Sequence, residues 1–148
     1  MSLLLVLLLQ ITANQKLEVL GAANKFMPGI TWKESSVVIG DFTCRGRREQ
    51  AILGIGHPEA AGPYAILAVF LDGFNRQPEL IRDPVHVAAD IELTTESLDY
   101  EPEDEIGTPL QGFQRSKICK GLNLADNYTD SLHIFWNHDL RHFDLWRR

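Results

Sequence analysis

The chain has 148 residues, 45% hydrophobic and 23% charged, which is enough for one ordinary globular domain with its own core. The 20 acidic and 14 basic residues leave a formal charge of −6. Phosphate backbones are bound through clustered Lys and Arg, so this balance argues against nucleic acid and favours a cationic partner by electrostatic steering.

In chain order, residues 1–13 hold an apolar run from Leu3 to Leu9, too short to span a bilayer and lacking a polar face. The run reads as a signal-peptide core, with Ala13 as the small residue before a cleavage site. Residues 1–13 are therefore expected to be a signal-peptide remnant, and residues 14–148 a single β-rich domain, secreted or periplasmic, with no stable membrane insertion. The competing reading is a buried hydrophobic N-terminal segment. Leu17, Leu20, Ala23 and Met27 then follow at three- and four-residue spacing, which predicts a short amphipathic helix over residues 15–27, stopped by Pro28 and Gly29. Trp32 reads as a lid on the core.

Residues 37–56 are the clearest fold-forming unit. Two apolar runs, Val37-Val38-Ile39 and Ala51-Ile52-Leu53-Gly54-Ile55, flank a polar, glycine-containing connection and predict a hairpin with a longer loop. Residues 57–63 are a loop by their Pro and Gly content, and the nearly continuous apolar run 64–71 reads as a central strand buried on both faces. Residues 79–93, interrupted by Pro84, predict one edge strand or two short strands. From Glu96 to Glu105 acidic residues surround Tyr100 and Pro102, and a solvated acidic loop is expected there. Residues 131–136 and 141–146 alternate with period two and predict a terminal hairpin. The fold expected from these elements is mainly β (α+β): an antiparallel sheet of about five or six strands with one N-terminal helix.

Two cysteines, Cys44 and Cys119, can close one loop of about 75 residues. In the chain-entropy model such a bond contributes roughly 4 to 5 kcal/mol. A disulfide between them fits an exported protein; unpaired thiols are the alternative.

Within the first hairpin, residues 40–49, GDFTCRGRRE, resemble the loop of an FG-GAP or VCBS-type repeat, in which two strands are joined by a turn that commonly holds Ca²⁺. Asp41, Thr43, Gly46 and Glu49 match the first, third, sixth and ninth positions of that loop, and Arg45 stands at the fifth, where the family usually has an acid. The resemblance covers about a dozen residues and does not recur, so length and the missing period exclude a propeller of several blades. A guanidinium cannot ligate a cation. The loop is therefore expected to be a metal-free version of the turn, with Arg45 in the metal's place between Asp41 and Glu49.

For chemistry, His133, His138 and His142 lie within ten residues of one another. They supply the alternative reading, a small metal-dependent hydrolase, provided that cross-strand pairing makes their rings converge. The favoured reading needs no motif that the chain lacks. It is a non-catalytic exported binding module without a cofactor, using Tyr100, Trp136, Phe143 and Trp146 within an acidic rim to hold a protein or polymer ligand, with an inhibitor or immunity-type protein as a special case.

Overall fold

The computed structural model describes residues 2–57, 62–83, 90–126 and 130–147, with side chains from residue 13 onward. It is mainly β and antiparallel, with one main helix. The strands do not make one sheet of five or six, however; they divide into a five-stranded and a four-stranded sheet. The first sheet contains β1 (Thr31–Trp32), β2 (Val38–Gly40), β3 (Glu49–Gly56), β4 (Tyr64–Phe70) and β5 (Glu79–Asp83), in the order β1-β3-β4-β5, with β2 also pairing β3. The second runs β6 (Glu92–Leu98), β7 (Ser116–Ala125), β8 (Leu132–Asn137) and β9 (His142–Arg147).

Alternation along the strands explains why two sheets form. On β3 and β4, Ala51, Leu53, Ala65, Leu67 and Val69 point one way and meet Leu93, Leu122, Leu124, Leu132 and Ile134 of the second sheet, forming the sandwich core. Their neighbours Ile52, Ile66, Ala68 and Phe70 point the other way and are covered by Val19, Ala22 and Ala23 of helix α1 (Ser2–Phe26). β3 and β4 are thus apolar on both faces, and β4, paired with β3 and β5, is the expected central strand. Trp32 packs in the helix-facing cluster, as its expected role of core lid requires.

Helix α1 is longer than residues 15–27 and runs back through the leucine-rich start. Leucine is a strong helix former, so that segment is helical in either of its two readings. The hairpin of residues 37–56 forms as β2 and β3, with Val38 opposite Ala51 and Gly40 opposite Glu49. The terminal hairpin forms as β8 and β9, one residue later than its pattern implies. β5 is an edge strand of the first sheet; Pro84, Val85 and Val87 lie outside the described residues.

Covalent and polar connections also tie the sheets together. The Cys44–Cys119 disulfide joins the turn before β3 to β7, and beside it the Lys120 N–H donates to the Asp41 carbonyl at 3.0 Å. On the far edge Arg147 Nη2 meets Asp83 Oδ2 at 2.7 Å, linking β9 to β5.

Candidate functional site

The outer face of the second sheet, turned away from the sandwich core, is only partly covered. Residues 99–115 fold over it, placing Tyr100, Ile106, Leu110 and Phe113 against Leu98, Cys119, Phe135 and Trp146. The segment contains a short helix, α2 (Pro102–Ile106), begun by a proline whose missing N–H has no role in a first turn. It is held at both ends. Arg115 binds Asp99 at 2.7 Å and Glu101 at 3.1 Å. At the other end Gly112, in a left-handed conformation (φ +71°), lies so close to the Asn137 side chain that a Cβ would overlap it, and its carbonyl accepts the His138 N–H at 2.9 Å.

The uncovered part is a cavity of about 540 Å³ whose lining includes Glu96, Tyr100, Glu105, Asp130, His133 and Trp146. Strand register assembles it. Asn123 of β7 is opposite His133 of β8, which is opposite Trp146 of β9, so the three side chains form a row across the outer face. The His133 ring stacks on the indole at 4.1 Å between centroids and 14° between planes. Glu96 pairs with Gly121, where a Cβ would lie 3.1 Å from the Glu96 Cγ and 3.0 Å from the Ile134 carbonyl. The bare glycine lets the Glu96 chain lie down across β7, so that its Oε2 meets His133 Nδ1 at 2.8 Å and accepts Asn123 Nδ2 at 3.3 Å.

This polar cluster is half satisfied. Glu96 Oε1, the Tyr100 hydroxyl and Trp146 Nε1 are buried and have no hydrogen-bond partner among the described residues. Burial pushes the Glu96 carboxyl above its ordinary pKa, against the pull of His133 and Asn123. Burial likewise raises Tyr100; the nearby Trp146 N–H offsets part of that rise without reaching hydrogen-bond geometry, and the Glu96 carboxyl adds to it. Among the described residues, three that carry a carboxyl group, Glu96, Glu105 and Asp130, line the cavity, and no Lys or Arg does so.

The four aromatic residues expected to bind a ligand fall into two pairs. Tyr100 and Trp146 meet at this cavity, 6.2 Å between ring centroids. Trp136 and Phe143 form an edge-to-face pair 5.1 Å apart at the other end of the β8–β9 hairpin, and Trp136 lines a second cavity there. The histidines also separate. His133 is paired with Trp146 near one end of the hairpin, whereas His142 is paired with Asn137 at the other, four residues or about 13 Å along β8. His138 occupies the turn, where burial lowers its pKa and Asp139 opposes the shift. Among the described residues no group of three His, Cys, Asp or Glu side chains is placed to hold a metal ion.

The 41–48 turn is built around Glu49, which is fully buried. Its Oε2 accepts the N–H groups of Phe42 at 2.8 Å and Thr43 at 2.9 Å, and its Oε1 accepts the Thr43 hydroxyl and Arg45 Nη2. Asp41 does not share the guanidinium as expected. Its carboxylate accepts the backbone N–H groups of Arg45 at 2.9 Å and Gly46 at 2.8 Å, an Asx-type closure of the turn, and Arg45 reaches Asp72 at 3.6 Å instead.

Sequence reasoning missed Glu96 as a site residue by placing it in a solvated loop; it is on β6, half-buried beside His133. The β-branched pair Thr94-Thr95 beside the buried Leu93 was the available strand signal. Compared with models of known protein families, with curated proteins and with solved structures, the chain matches none.

Proposed function

We propose that this chain is a non-catalytic exported binding module whose ligand seat is the outer-face cavity, and that the seat takes a cationic group of a protein partner. One observation carries the reading: three buried polar atoms, Glu96 Oε1, the Tyr100 hydroxyl and Trp146 Nε1, have no partner among the described residues and belong to residues that line one cavity. Buried polar atoms without partners are costly and rare in folded proteins, and a side-chain shift that turned them towards a ligand in the cavity would recover that cost on binding. Glu96, Glu105 and Asp130 favour an ammonium or guanidinium, the Tyr100 ring offers it a π face, and the indole N–H can donate to a carbonyl beside it. Export is supported by the disulfide and by the signal-like start.

The same reading treats the 41–48 turn as structural. The Asp41 and Glu49 oxygens are occupied by backbone N–H groups and by Thr43 and Arg45, so the turn acts as the metal-free counterpart of the calcium loop it resembles. Its melting temperature is expected to stay unchanged on adding millimolar Ca²⁺ or a chelator; a calcium-dependent rise would remove this assignment.

Titration with a short peptide carrying Lys and Arg, followed calorimetrically, tests the seat. Saturable binding is expected, weakened about tenfold or more in Glu96→Gln and also weakened in Tyr100→Phe, both of which keep the volume of the cavity wall. Absence of binding, or affinities unchanged in both variants, would reject the assignment.

A further inference from the structure

The opposite end of the β8–β9 hairpin has the reverse charge. A second cavity, of about 620 Å³, is lined by Arg45, Asp72, Trp136, His138 and Arg141 among others. A shallower depression lined by Arg47, Arg48, Asp72 and Arg76 adjoins it, the two sharing Leu71 and Asp72. Five arginines thus follow one continuous track in a chain of net charge −6. Asp72 is the carboxylate that lines this track; it holds Arg47 at 3.0 Å and Arg45 at 3.6 Å, and Arg45 also meets the buried Glu49 at 3.1 Å. Arg48, Arg76 and Arg141 have no carboxylate partner among the described residues.

The backbone marks the same place. Among the described residues the non-glycine positions with positive φ are Cys44 (φ 58°) and Arg141 (φ 57°), and both line the second cavity. Left-handed conformations are uncommon for such residues and collect at binding sites, where the surrounding structure enforces them. Here Cys44 is fixed by its disulfide, and the Arg141 N–H donates to the Asn137 carbonyl at 2.8 Å, which closes the hairpin turn. The half-buried Trp136 ring is held edge-on by Phe143. A flat aromatic wall beside guanidiniums suits a ring that carries an anionic substituent.

We propose that this track binds a strand of an acidic polysaccharide, with one sugar against Trp136, its carboxylate or sulfate on Arg45 and Arg141, and the following anionic groups along Arg47, Arg48 and Arg76. Two observations favour a polysaccharide over a nucleic acid. Among the described residues the track has one aromatic platform, whereas single-stranded nucleic acids are held on successive stacked bases. The disulfide suits the extracellular space, where acidic polysaccharides are found.

The test uses the full chain at low ionic strength with three probes of matched length: heparin for sulfates, polygalacturonate for carboxylates, and single-stranded polythymidylate. Binding to heparin, polygalacturonate or both is expected at least about tenfold tighter than to polythymidylate, and weakening as salt rises. The double variant Arg48→Gln/Arg76→Gln, both exposed, is expected to lose about tenfold in affinity, as is Arg141→Gln. Trp136→Leu, once a thermal melt shows it folded, should lose at least as much. Arg115→Gln and Glu96→Gln, both on the outer face, should leave polysaccharide binding unchanged, which separates this site from the cationic seat. No binding by the natural sequence, equal affinity for polythymidylate, or unaltered affinity in the arginine variants would overturn the proposal.

Discussion

Two buried carboxylates show how differently this molecule treats the same side chain. Glu49 in the first sheet is completely enclosed, and each of its oxygens accepts two donors from a single tight turn. Glu96 in the second is half-buried; one oxygen meets His133 and Asn123 and the other meets no described partner. A carboxylate whose lone pairs are all engaged by its own chain has no capacity left for a ligand, and its role is to hold the turn. One left half engaged beside a cavity keeps that capacity, and it is the group on which the proposed ligand seat rests.

The contrast can be broken most forcefully at Glu49. Glu49→Ala strands the Phe42 and Thr43 amides, the Thr43 hydroxyl and one arm of Arg45, and about 3 to 5 kcal/mol should be lost in chemical denaturation. A loss below about 1 kcal/mol would mean that the turn is held by something else. Next in size is the disulfide, which closes a separation of 75 residues. Cys44→Ser/Cys119→Ser should cost about 2 to 5 kcal/mol, read as a lower denaturation midpoint, with the same shift when the natural sequence is reduced.

The smallest effect belongs to Glu96, and its sign sharpens the comparison. Because burial raises its pKa, the folded chain holds this proton to higher pH than the unfolded chain does. Stability is therefore fully present below the ordinary value of 4.5 and falls as pH rises from there through the raised pKa. Glu96→Gln removes the penalty. The variant should match the natural sequence in acid and exceed it at neutral pH by less than about 1 kcal/mol, measured as denaturation midpoints across the pH range. A variant less stable at neutral pH would show that the ionised carboxylate is a net stabilising partner of His133.

Patterning made much of the first sheet legible. The hairpin 37–56 and the central strand were readable because their residues are apolar in runs bounded by turn formers, and the last hairpin because its alternation is clean. β7 escaped. Ile118 is exposed, Lys117 and Lys120 break the alternation, and Gly121 has no side chain to contribute, so only Leu122-Asn123-Leu124 keeps a strand's period. The division into two sheets was also hidden, because period-two alternation says that a face is apolar without saying whether a helix or another sheet will cover it. At the site, Tyr100, Trp146 and His133 could be nominated by residue type. Their company with Glu96 and Asn123 could not, since it depends on the register of β6 on β7 and of β7 on β8.

The two sheets are built from successive halves of the chain, residues 31–83 and 92–147, and the disulfide crosses between them. In a chain emerging from its N-terminal end, the first sheet can complete its pairing while Cys119 has yet to appear. Cys44 therefore has no partner within its own chain, in a turn already shaped by Glu49, until β7 emerges. Docking of the second half against the first is what brings the two sulfurs together, so oxidation favours the assembled sandwich and afterwards records that it formed.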